Sequence, residues 1–337
     1  MMHVRVLGAG VAGLCTAYVL AREGLGVELI ERMPQPGAGC SRFAGGMIAP
    51  WCELESAEPI VASLGQEALD FWVEELALAT RAGTLVVAPP REGAELIDFA
   101  RKTKRFVNLD AAALSQLEPQ LSGRFETALH FPQEAHLDPR QALNFLAQQL
   151  KKMPNVTQQY GVDASILPPA QDWTVDCRGF VAKDHLRQLR GVKGEMLILR
   201  SEEIALSRPI RMLHPRRPVY IVPRGAGYFM IGATMIENEE RARVTARSIV
   251  ELINSAFAIH PAFAEAEIVE TGSDLRPAFR DNLPQLIRRQ KTLYINGLYR
   301  HGFLLAPALA KRAARVLSED AFFPEVMNAD SGEWASA

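Results

Sequence analysis

The sequence predicts an α/β protein in which a mainly antiparallel α+β domain is inserted into a domain built on a parallel sheet. One observation is a strand, a glycine-rich loop, a helix and a second strand in direct succession over residues 4–32. Another is a change of pattern from residue 194 onward, where short strands alternate with turn residues. A length of 337 residues is sufficient for two hydrophobic cores.

The N-terminal unit has every part of a dinucleotide-binding fingerprint. Val4–Leu7 is a short β-rich run, and residues 8–13 read Gly-Ala-Gly-Val-Ala-Gly. A helical apolar pattern follows, and a second apolar run over residues 27–30 ends in Glu31. This order of parts favours a Rossmann-like unit over a glycine-rich turn in an unrelated α/β protein.

Each glycine of the loop has its own task. Gly8 permits the tight turn out of the strand, Gly10 lets the backbone approach a pyrophosphate, and Gly13 lets the helix pack closely on the strand. The pyrophosphate is expected at the helix N-terminus, where free N–H groups and the helix dipole favour negative charge. Glu31 is predicted to accept hydrogen bonds from both ribose hydroxyls.

Composition narrows the class of protein. Apolar and charged contents of 48% and 23% are typical of globular proteins, and a net charge of −2 argues against nucleic acid or an anionic membrane as the main partner. No apolar run reaches the roughly 18–20 residues needed to span a bilayer. Because the chain enters its first strand at once, we expect a cytoplasmic protein without a signal peptide. The spacing of the four cysteines indicates neither a metal site nor a disulfide framework.

Apolar periodicity and turn residues predict the remaining elements. Asp138 is predicted to cap a helix that begins at Pro139, and the neighbouring His136 is expected to be structural. The tail after Phe323 is expected to be frayed. Helices are predicted at 57–82, 92–105, 111–117, 139–150, 240–257 and 307–318, strands at 84–88, 156–157, 173–177, 194–200, 219–222, 228–234, 268–271 and 293–297, and a loop at 298–306.

Small residues crowd the segment Cys40–Pro50, which reads Cys-Ser-Arg-Phe-Ala-Gly-Gly-Met-Ile-Ala-Pro. Two interpretations are equally open. The backbone either lies against a large, flat ligand or forms a plain surface loop.

Three separated stretches resemble the D-amino acid oxidase family of flavoproteins, and most closely its glycine oxidase branch, which serves thiamine biosynthesis. Together they extend over nearly the whole chain in consistent order. They are the fingerprint joined to residues 44–50, residues 193–195 followed by 220–224 and 231–234, and residues 275–277 followed by 299–307.

The resemblance implies FAD as the cofactor. It assigns a discontinuous FAD-binding domain to residues 1–82, 136–182 and 272–337, and a substrate-binding domain to residues 83–135 and 183–271. No cysteine lies in the C-terminal flavin loop, so non-covalent attachment is expected. The residues implied to bind FAD are Gly8, Gly10, Val11, Ala12, Gly13, Glu31, Arg32, Cys40, Ser41, Gly45, Gly46, Met47, Val162, Gly179, Leu298, Tyr299, Arg300, His301, Gly302, Phe303 and Leu304.

The resemblance also implies that Arg276 pairs with the substrate carboxylate and that Tyr220 and Arg300 complete the substrate pocket. The residue types fit this role, because the planar fork of an arginine matches a carboxylate in a bidentate pair. The alternative for both arginines is ordinary surface salt bridging. Since Arg276 and Arg300 lie in apolar, glycine-bearing stretches, a functional role is favoured.

The sequence departs from the family pattern at three places. Asp176-Cys177-Arg178 replaces a small, uncharged run before Gly179. Arg42 stands where a small residue is common, and His301 replaces a neutral polar residue beside the flavin. These departures leave the choice of amino acid and its chirality open.

The reaction implied is oxidative deamination of a small amino acid, glycine first, to an oxo acid, ammonia and hydrogen peroxide, with dioxygen as the second substrate. One alternative is an FAD-dependent dehydrogenase that acts on sarcosine, proline or a D-amino acid with another electron acceptor. A second, from a different class, is a non-catalytic dinucleotide-binding redox module. The sequence leaves homo-oligomerisation open.

Overall fold

The structure is a computed structural model that describes residues 1–215, 218–241 and 243–327. These residues form two compact units. Unit 1 contains Met1–Ala44, Pro139–Val192 and the described residues from Leu275 onward, and unit 2 contains Gly45–Asp138 and Lys193–Asp274.

The strands of the described chain are numbered in sequence order. They are β1 (His3–Leu7), β2 (Gly26–Glu31), β3 (Met47–Ile48), β4 (Thr84–Val87), β5 (Val107–Asp110), β6 (Thr127–Phe131), β7 (Ala135–His136), β8 (Val156–Tyr160), β9 (Trp173–Asp176), β10 (Arg190–Arg200), β11 (Ile210–Met212), β12 (Val219–Pro223), β13 (Tyr228–Gly232), β14 (Glu267–Ala278), β15 (Gln285–Arg289) and β16 (Thr292–Asn296).

The helices are numbered in the same way. They are α1 (Val11–Arg22), α2 (Pro50–Glu53), α3 (Pro59–Leu69), α4 (Gly93–Lys102), α5 (Ala111–Leu117), α6 (Pro139–Lys152), α7 (Ala246–Ile259) and α8 (Gly302–Glu319). A π-helical turn at Asp70–Glu75 follows α3, and short 3-10 helices lie at Cys40–Phe43, Pro90–Glu92, Pro119–Leu121, Ala164–Ile166, Gly179–Asp184 and Pro261–Ala264.

Unit 1 is built on a six-stranded sheet with the order β15-β16-β9-β1-β2-β8. The pairs from β16 to β8 are parallel, and only the edge strand β15 is antiparallel. Val6 of β1 is opposite Leu29 on one side and Val175 on the other, and all three side chains are buried. Helix α1 connects β1 to β2 and packs against α6 and α8. The predicted Rossmann-like parallel domain is therefore confirmed.

Unit 2 contains most of an eight-stranded mixed sheet with the order β14-β10-β13-β12-β11-β4-β6-β5. The pairs β10–β13, β13–β12, β12–β11, β4–β6 and β6–β5 are antiparallel, and β11–β4 is parallel. Apolar side chains of these strands and of α7 form its core, among them Leu85, Ile221, Ile231 and Leu252. The mainly antiparallel α+β arrangement agrees with the predicted fold class.

The compact units divide the chain at different residues from the predicted domains. Residues 45–82, predicted to belong to the FAD-binding domain, lie in unit 2, where β3 pairs with β7. Residues 183–192, predicted to belong to the substrate-binding domain, lie in unit 1. The unit to which a segment belongs depends on its pairing with strands that are distant in sequence. Local sequence patterns do not reveal that pairing.

Several predicted elements have other bounds in the structure. The helix predicted over 57–82 ends early, because the chain turns at Ala77 with a positive φ of 52°. The helix predicted from residue 240 begins at Ala246, where the Thr245 hydroxyl accepts the Ser248 N–H as an N-cap. The strand predicted over 268–271 extends to Ala278, so that it includes Arg276.

The predicted helix start at Pro307 is wrong. Helix α8 begins at Gly302 and contains Pro307 in its second turn. Proline is common at the first position of a helix, which misled the prediction, although here it only removes the hydrogen bond to the Phe303 carbonyl.

The C-terminal tail is only partly described. Val326 is buried, and its carbonyl accepts the Leu286 N–H at 2.8 Å, so the predicted fraying does not begin directly after Phe323. The rest of the predicted frayed tail, residues 328–337, lies outside the described residues. Among the helices that the structure describes, none combines the length and the apolar character needed to cross a membrane.

Candidate active site

The loop after β1 requires its glycines. Gly8 has a φ of +93°, and a Cβ at this position would lie 2.8 Å from the Cys177 carbonyl oxygen. A Cβ on Gly13 would lie 1.8 Å from the Gly8 carbonyl oxygen, which no rearrangement of a side chain relieves. The tight turn and the close helix–strand packing predicted for these two glycines are therefore present in the structure.

The N-terminus of α1 has the features of an anion site. Gly10 is the N-cap residue and supplies no side-chain cap. The Val11 N–H donates to the Ser41 hydroxyl at 3.1 Å, which places Ser41 at the helix end. The next N–H groups, those of Ala12 and Gly13, have no partner within the helix. This end of α1 suits a pyrophosphate, because backbone N–H donors and the helix dipole converge there beside the small polar side chain of Ser41.

Glu31 lies at the carboxyl end of β2, with its carboxylate turned back to the glycine loop. Oε2 accepts the Ala9 N–H at 2.7 Å, and Oε1 accepts the Met33 N–H at 2.8 Å. A carboxylate has about four acceptor positions, so Glu31 retains capacity for ribose hydroxyls. The Val162 N–H donates to the Glu31 carbonyl at 3.1 Å, whereas Arg32 is exposed. Val162 thus lies beside the Glu31 backbone, as an adenine-side contact requires.

The segment implied to wrap the flavin, Leu298–Leu304, is a loop only as far as His301. Gly302, Phe303 and Leu304 form the first turn of α8. A Cβ on Gly302 would lie 3.3 Å from Cγ1 of Val11. The start of α8 therefore lies close to the start of α1, and the described residues of unit 1 bring two sequence-distant cofactor stretches together.

The two arginines predicted to act on substrate lie on adjacent backbone segments of unit 1. Arg276 is half-buried on β14, and Arg300 is half-buried in the loop before α8. The Tyr299 N–H donates to the Pro277 carbonyl at 2.9 Å, which joins the loop to the end of β14. Arg300 Nε donates to His301 Nε2 at 3.2 Å, and His301 is buried. His301 thus positions Arg300.

Tyr220 lies on β12 in unit 2 beside two glycines. A Cβ on Gly45 would lie 2.6 Å from its ring, and a Cβ on Gly232 would lie 2.9 Å from its hydroxyl oxygen. The tyrosine ring therefore lies directly over backbone at both positions. Gly45 belongs to the predicted flavin segment, and the structure brings it into contact with a predicted substrate residue.

Arg224 is a positioning residue that the sequence analysis left without a role. Its guanidinium donates to the Leu137 carbonyl and, at 3.0 Å, to the Gly45 carbonyl. The Leu137 N–H donates to the Gly46 carbonyl at 2.9 Å. Met47 then pairs with His136 across β3 and β7. Arg224 holds the Gly45–Met47 segment against the chain that precedes α6. In the sequence, the one sign of its importance was its position in residues 220–224, which resemble the family.

A buried carboxyl, which sequence analysis also missed, holds the next part of this segment. Glu134 is fully buried, and its Oε1 accepts the N–H groups of Trp51 and Cys52 at 2.9 and 2.8 Å. Burial raises the pKa of Glu134 to about 7, although the hydrogen bond from the Cys52 N–H acts in the opposite direction. Among the described residues, Oε2 and the Thr84 hydroxyl form no hydrogen bond of good geometry. Nearby, burial lowers the pKa of His136 to about 4, so this histidine is neutral at pH 7.

The charged side chains before Gly179 form ion pairs within unit 1. Arg178 Nη2 binds Asp176 at 2.7 Å, and Nη1 binds Asp184 at 2.9 Å. The carbonyl of Gly179 accepts from the Asn296 side chain at 2.9 Å. This departure from the family pattern is a local ion-pair network that fixes the turn after β9.

Comparisons with known proteins agree with this geometry. Residues 3–316 match the family described as FAD dependent oxidoreductase, DAO. The chain is 52% identical over 332 residues to a Rhizobium etli protein assigned as the thiamine biosynthesis oxidoreductase ThiO, covering 96% of this chain and 99% of that one. It is 26% identical over 340 residues to glycine oxidase of Pseudomonas putida, covering 91% and 92%.

Solved structures confirm the fold. Glycine oxidase from Bacillus cereus superimposes with a TM-score of 0.80 at 22% identity, covering 96% of each chain. Iminodiacetate oxidase from Chelativorans gives a TM-score of 0.79 at 24% identity, covering 95% of this chain and 96% of that one. The glycine loop, the open end of α1 and the family match together lead to one conclusion: the chain belongs to the DAO family of FAD-dependent oxidoreductases and is an enzyme that uses FAD.

Proposed function

We propose that this enzyme oxidises a small amino acid, with glycine as its first substrate, and supplies thiamine biosynthesis. The observation that carries the proposal is the identity of 52% over 96% of the chain with the Rhizobium etli ThiO protein. The products are an oxo acid, ammonia and hydrogen peroxide, and dioxygen is the electron acceptor. We place the reaction in the cytoplasm, since the spacing of the four cysteines predicts a reduced protein.

We assign binding of the pyrophosphate and the adenosine of FAD to unit 1. The glycine loop and the open end of α1 receive the pyrophosphate, and Glu31 and Val162 flank the adenosine. Bound FAD supplies the acceptor for the two electrons and the α-hydrogen that leave the substrate. The protein binds and orients the reactants.

Substrate binding is assigned to Arg276, Arg300 and Tyr220. Arg276 lies on β14 between Leu275 and Pro277, both buried, so its backbone is held at a packed strand end while its own half-buried side chain projects to the opposite face. A planar guanidinium binds a carboxylate through two parallel hydrogen bonds, which fixes the orientation of the α-carbon. Orientation of this kind lowers the entropic part of the barrier.

Supporting residues keep these groups in place. The Tyr299–Pro277 hydrogen bond fixes the loop that carries Arg300, and the ring of His301 accepts from Arg300. Arg224 holds Gly45 beside Tyr220. Catalysis by pre-orientation needs such support, because small displacements of a reacting group are costly.

An anaerobic screen tests the proposal. Glycine, sarcosine, D-alanine, L-proline and ethylamine are added separately to the oxidised holoenzyme, and flavin absorbance is followed before and after admission of air. Glycine is expected to bleach the flavin, and air is expected to restore it with formation of peroxide. Bleaching by proline alone would discard glycine as the substrate, and restoration only by an artificial electron acceptor would replace the oxidase with a dehydrogenase. A flavin that stays oxidised with every amine would favour the non-catalytic module.

A further inference from the structure

A small polar cavity in unit 1 is lined by none of the residues assigned to FAD above, and it adjoins them at Arg42, the neighbour of Ser41. It has a volume of about 190 Å³ and is lined by Gln35, Gly37, Arg42, Arg140, Leu143 and Asn144, among others. This volume corresponds to roughly six water molecules, and it is smaller than the pockets of about 300–1,000 Å³ that hold drug-sized ligands. Two lining residues are arginines and none is acidic.

Arg42 contributes a charged, half-buried side chain to this cavity. Its Nε is buried and has no hydrogen-bond partner within the described parts of the chain. Its guanidinium packs over the Phe43 ring, 5.4 Å from the ring centre. The ring is not a conventional hydrogen-bond acceptor for Nε. A buried donor on a charged group without an acceptor is costly. The half-buried side chain of Arg42 also lines the cavity, so its guanidinium brings a positive charge to the cavity wall.

Arg140 brings a second positive charge to the same cavity. Its Nε donates to the Arg42 carbonyl at 3.3 Å, so its guanidinium is fixed beside the Arg42 backbone. Arg140 also lies in the first turn of α6, a helix of 14 residues that begins at Pro139. The positive end of the helix dipole adds to the two guanidinium charges.

The walls of the cavity are rigid. The Gly37 N–H donates to the Ala9 carbonyl at 2.8 Å, and a Cβ on Gly37 would lie 2.7 Å from Cδ1 of Leu143. The loop before Arg42 is therefore packed directly on α6, and the Cys40–Phe43 turn contacts α6 as well. The charged cavity thus exists without induced closure.

We propose that this cavity is a binding site for a phosphate-sized oxyanion. Arg42 and Arg140 donate from their guanidinium groups, and the amides of Gln35 and Asn144 complete the donor set. Guanidinium groups match the geometry of phosphate oxygens, and the cavity is too small for a nucleotide. The phosphate group belongs either to the free ion or to a small phosphate monoester. This site gives a role to Arg42, which departs from the family pattern.

Titration calorimetry and thermal unfolding of the FAD-loaded enzyme test the site. The probes are inorganic phosphate, sulfate, chloride and glycerol phosphate at matched ionic strength. Phosphate is expected to bind saturably and to raise the unfolding temperature more than chloride does. Stronger binding of glycerol phosphate identifies a monoester as the ligand, and stronger binding of inorganic phosphate identifies the free ion. An equal effect of all four anions would overturn the proposal.

Variants decide which residues bind. Arg42→Gln removes the fork, and Asn144→Asp adds a negative charge at an exposed lining position without removing a buried group. Both are expected to weaken phosphate binding at least about tenfold, since a hydrogen bond to a charged group is lost or opposed. Arg101→Gln, at an exposed arginine of unit 2, is the control and is expected to change nothing.

Two outcomes contradict the site. Unchanged phosphate affinity in both variants would show that the anion binds elsewhere. Loss of FAD from Arg42→Gln, measured from the flavin absorbance of the purified variant, would make the cavity an extension of the cofactor site. Asn144→Asp remains informative if Arg42→Gln does not fold, because its side chain is exposed.

Discussion

Glu134→Gln is expected to stabilise the protein at alkaline pH and to leave it unchanged at acid pH. Glu134 is fully buried, and its Oε1 accepts the N–H groups of Trp51 and Cys52 at 2.9 and 2.8 Å. Glutamine has the same shape and keeps a carbonyl acceptor for both hydrogen bonds. It cannot ionise, so the substitution isolates the energetic effect of the buried charge.

The magnitude follows from the pKa of Glu134. Burial raises this pKa from 4.5 to about 7 in the folded protein. The folded protein therefore binds the proton more tightly than the unfolded chain does, and the resulting stability is complete below pH 4.5 and is lost as the pH rises to about 7. A shift of this size corresponds to about 3 kcal/mol, since each pKa unit is worth about 1.4 kcal/mol. Above pH 7, the glutamine variant avoids this loss.

His136 has the opposite pH dependence. Its pKa is lowered from 6.5 to about 4, so its contribution to stability is lost as the pH falls through this interval. Between pH 4.5 and 6.5, the two effects oppose each other in the parent protein. His136 is present in both proteins, so its contribution cancels when the stability of the parent is subtracted from that of the variant.

Thermal unfolding of both holoenzymes between pH 4.5 and 8 measures this difference. For a unit of this size, about 3 kcal/mol raises the unfolding temperature by about 6–12 °C, and we expect this gain at pH 8. No gain is expected near pH 4.5. Glu126→Gln, at an exposed position of unit 2, is the matched control without a pH-dependent difference. A constant difference across the pH range, or a less stable Glu134→Gln protein at pH 8, would refute the reasoning.

The remaining predictions concern the cofactor and the substrate. Arg276→Lys keeps the charge but loses the fork, so it should raise KM for glycine without loss of FAD, and Arg276→Ala should cost about 2–5 kcal/mol in kcat/KM for glycine but not for ethylamine. Equal losses for both amines would make Arg276 structural. Glu31→Ala should weaken FAD binding by about 1.5–3 kcal/mol in equilibrium dialysis. Unchanged FAD binding would show that Glu31 does not bind the ribose. Arg224→Lys cannot satisfy the same two carbonyls as a fork, so it should shift the flavin absorbance bands and raise KM for glycine, because Gly45 lies beside Tyr220. Acid precipitation should release all flavin into the supernatant, and colour in the pellet would indicate covalent attachment.

Local chemistry determined the parts of this protein that the sequence alone predicted. A tight turn, a close approach of helix to strand and an anion-binding helix end depend on residues within one short segment, so residues 8–13 predicted them directly. The same holds for the helix Ala111–Leu117, whose N-cap Asp110 accepts the Ala113 N–H at 2.8 Å. The order of strands and helices then fixed the parallel sheet, because parallel neighbours require crossover connections.

Tertiary packing decided what local patterns could not express. Helix α8 begins at Gly302 because that residue packs close to Val11, although Pro307 is a stronger local signal for a helix start. Arg224 and Gly45 are 179 residues apart in the chain, yet their hydrogen bond holds the segment implied to contact the flavin. The sequence therefore determined the parallel α/β fold of unit 1 and the family. Only the three-dimensional structure revealed the residues that hold it in place, because a hydrogen bond between distant segments leaves no periodic pattern in either one.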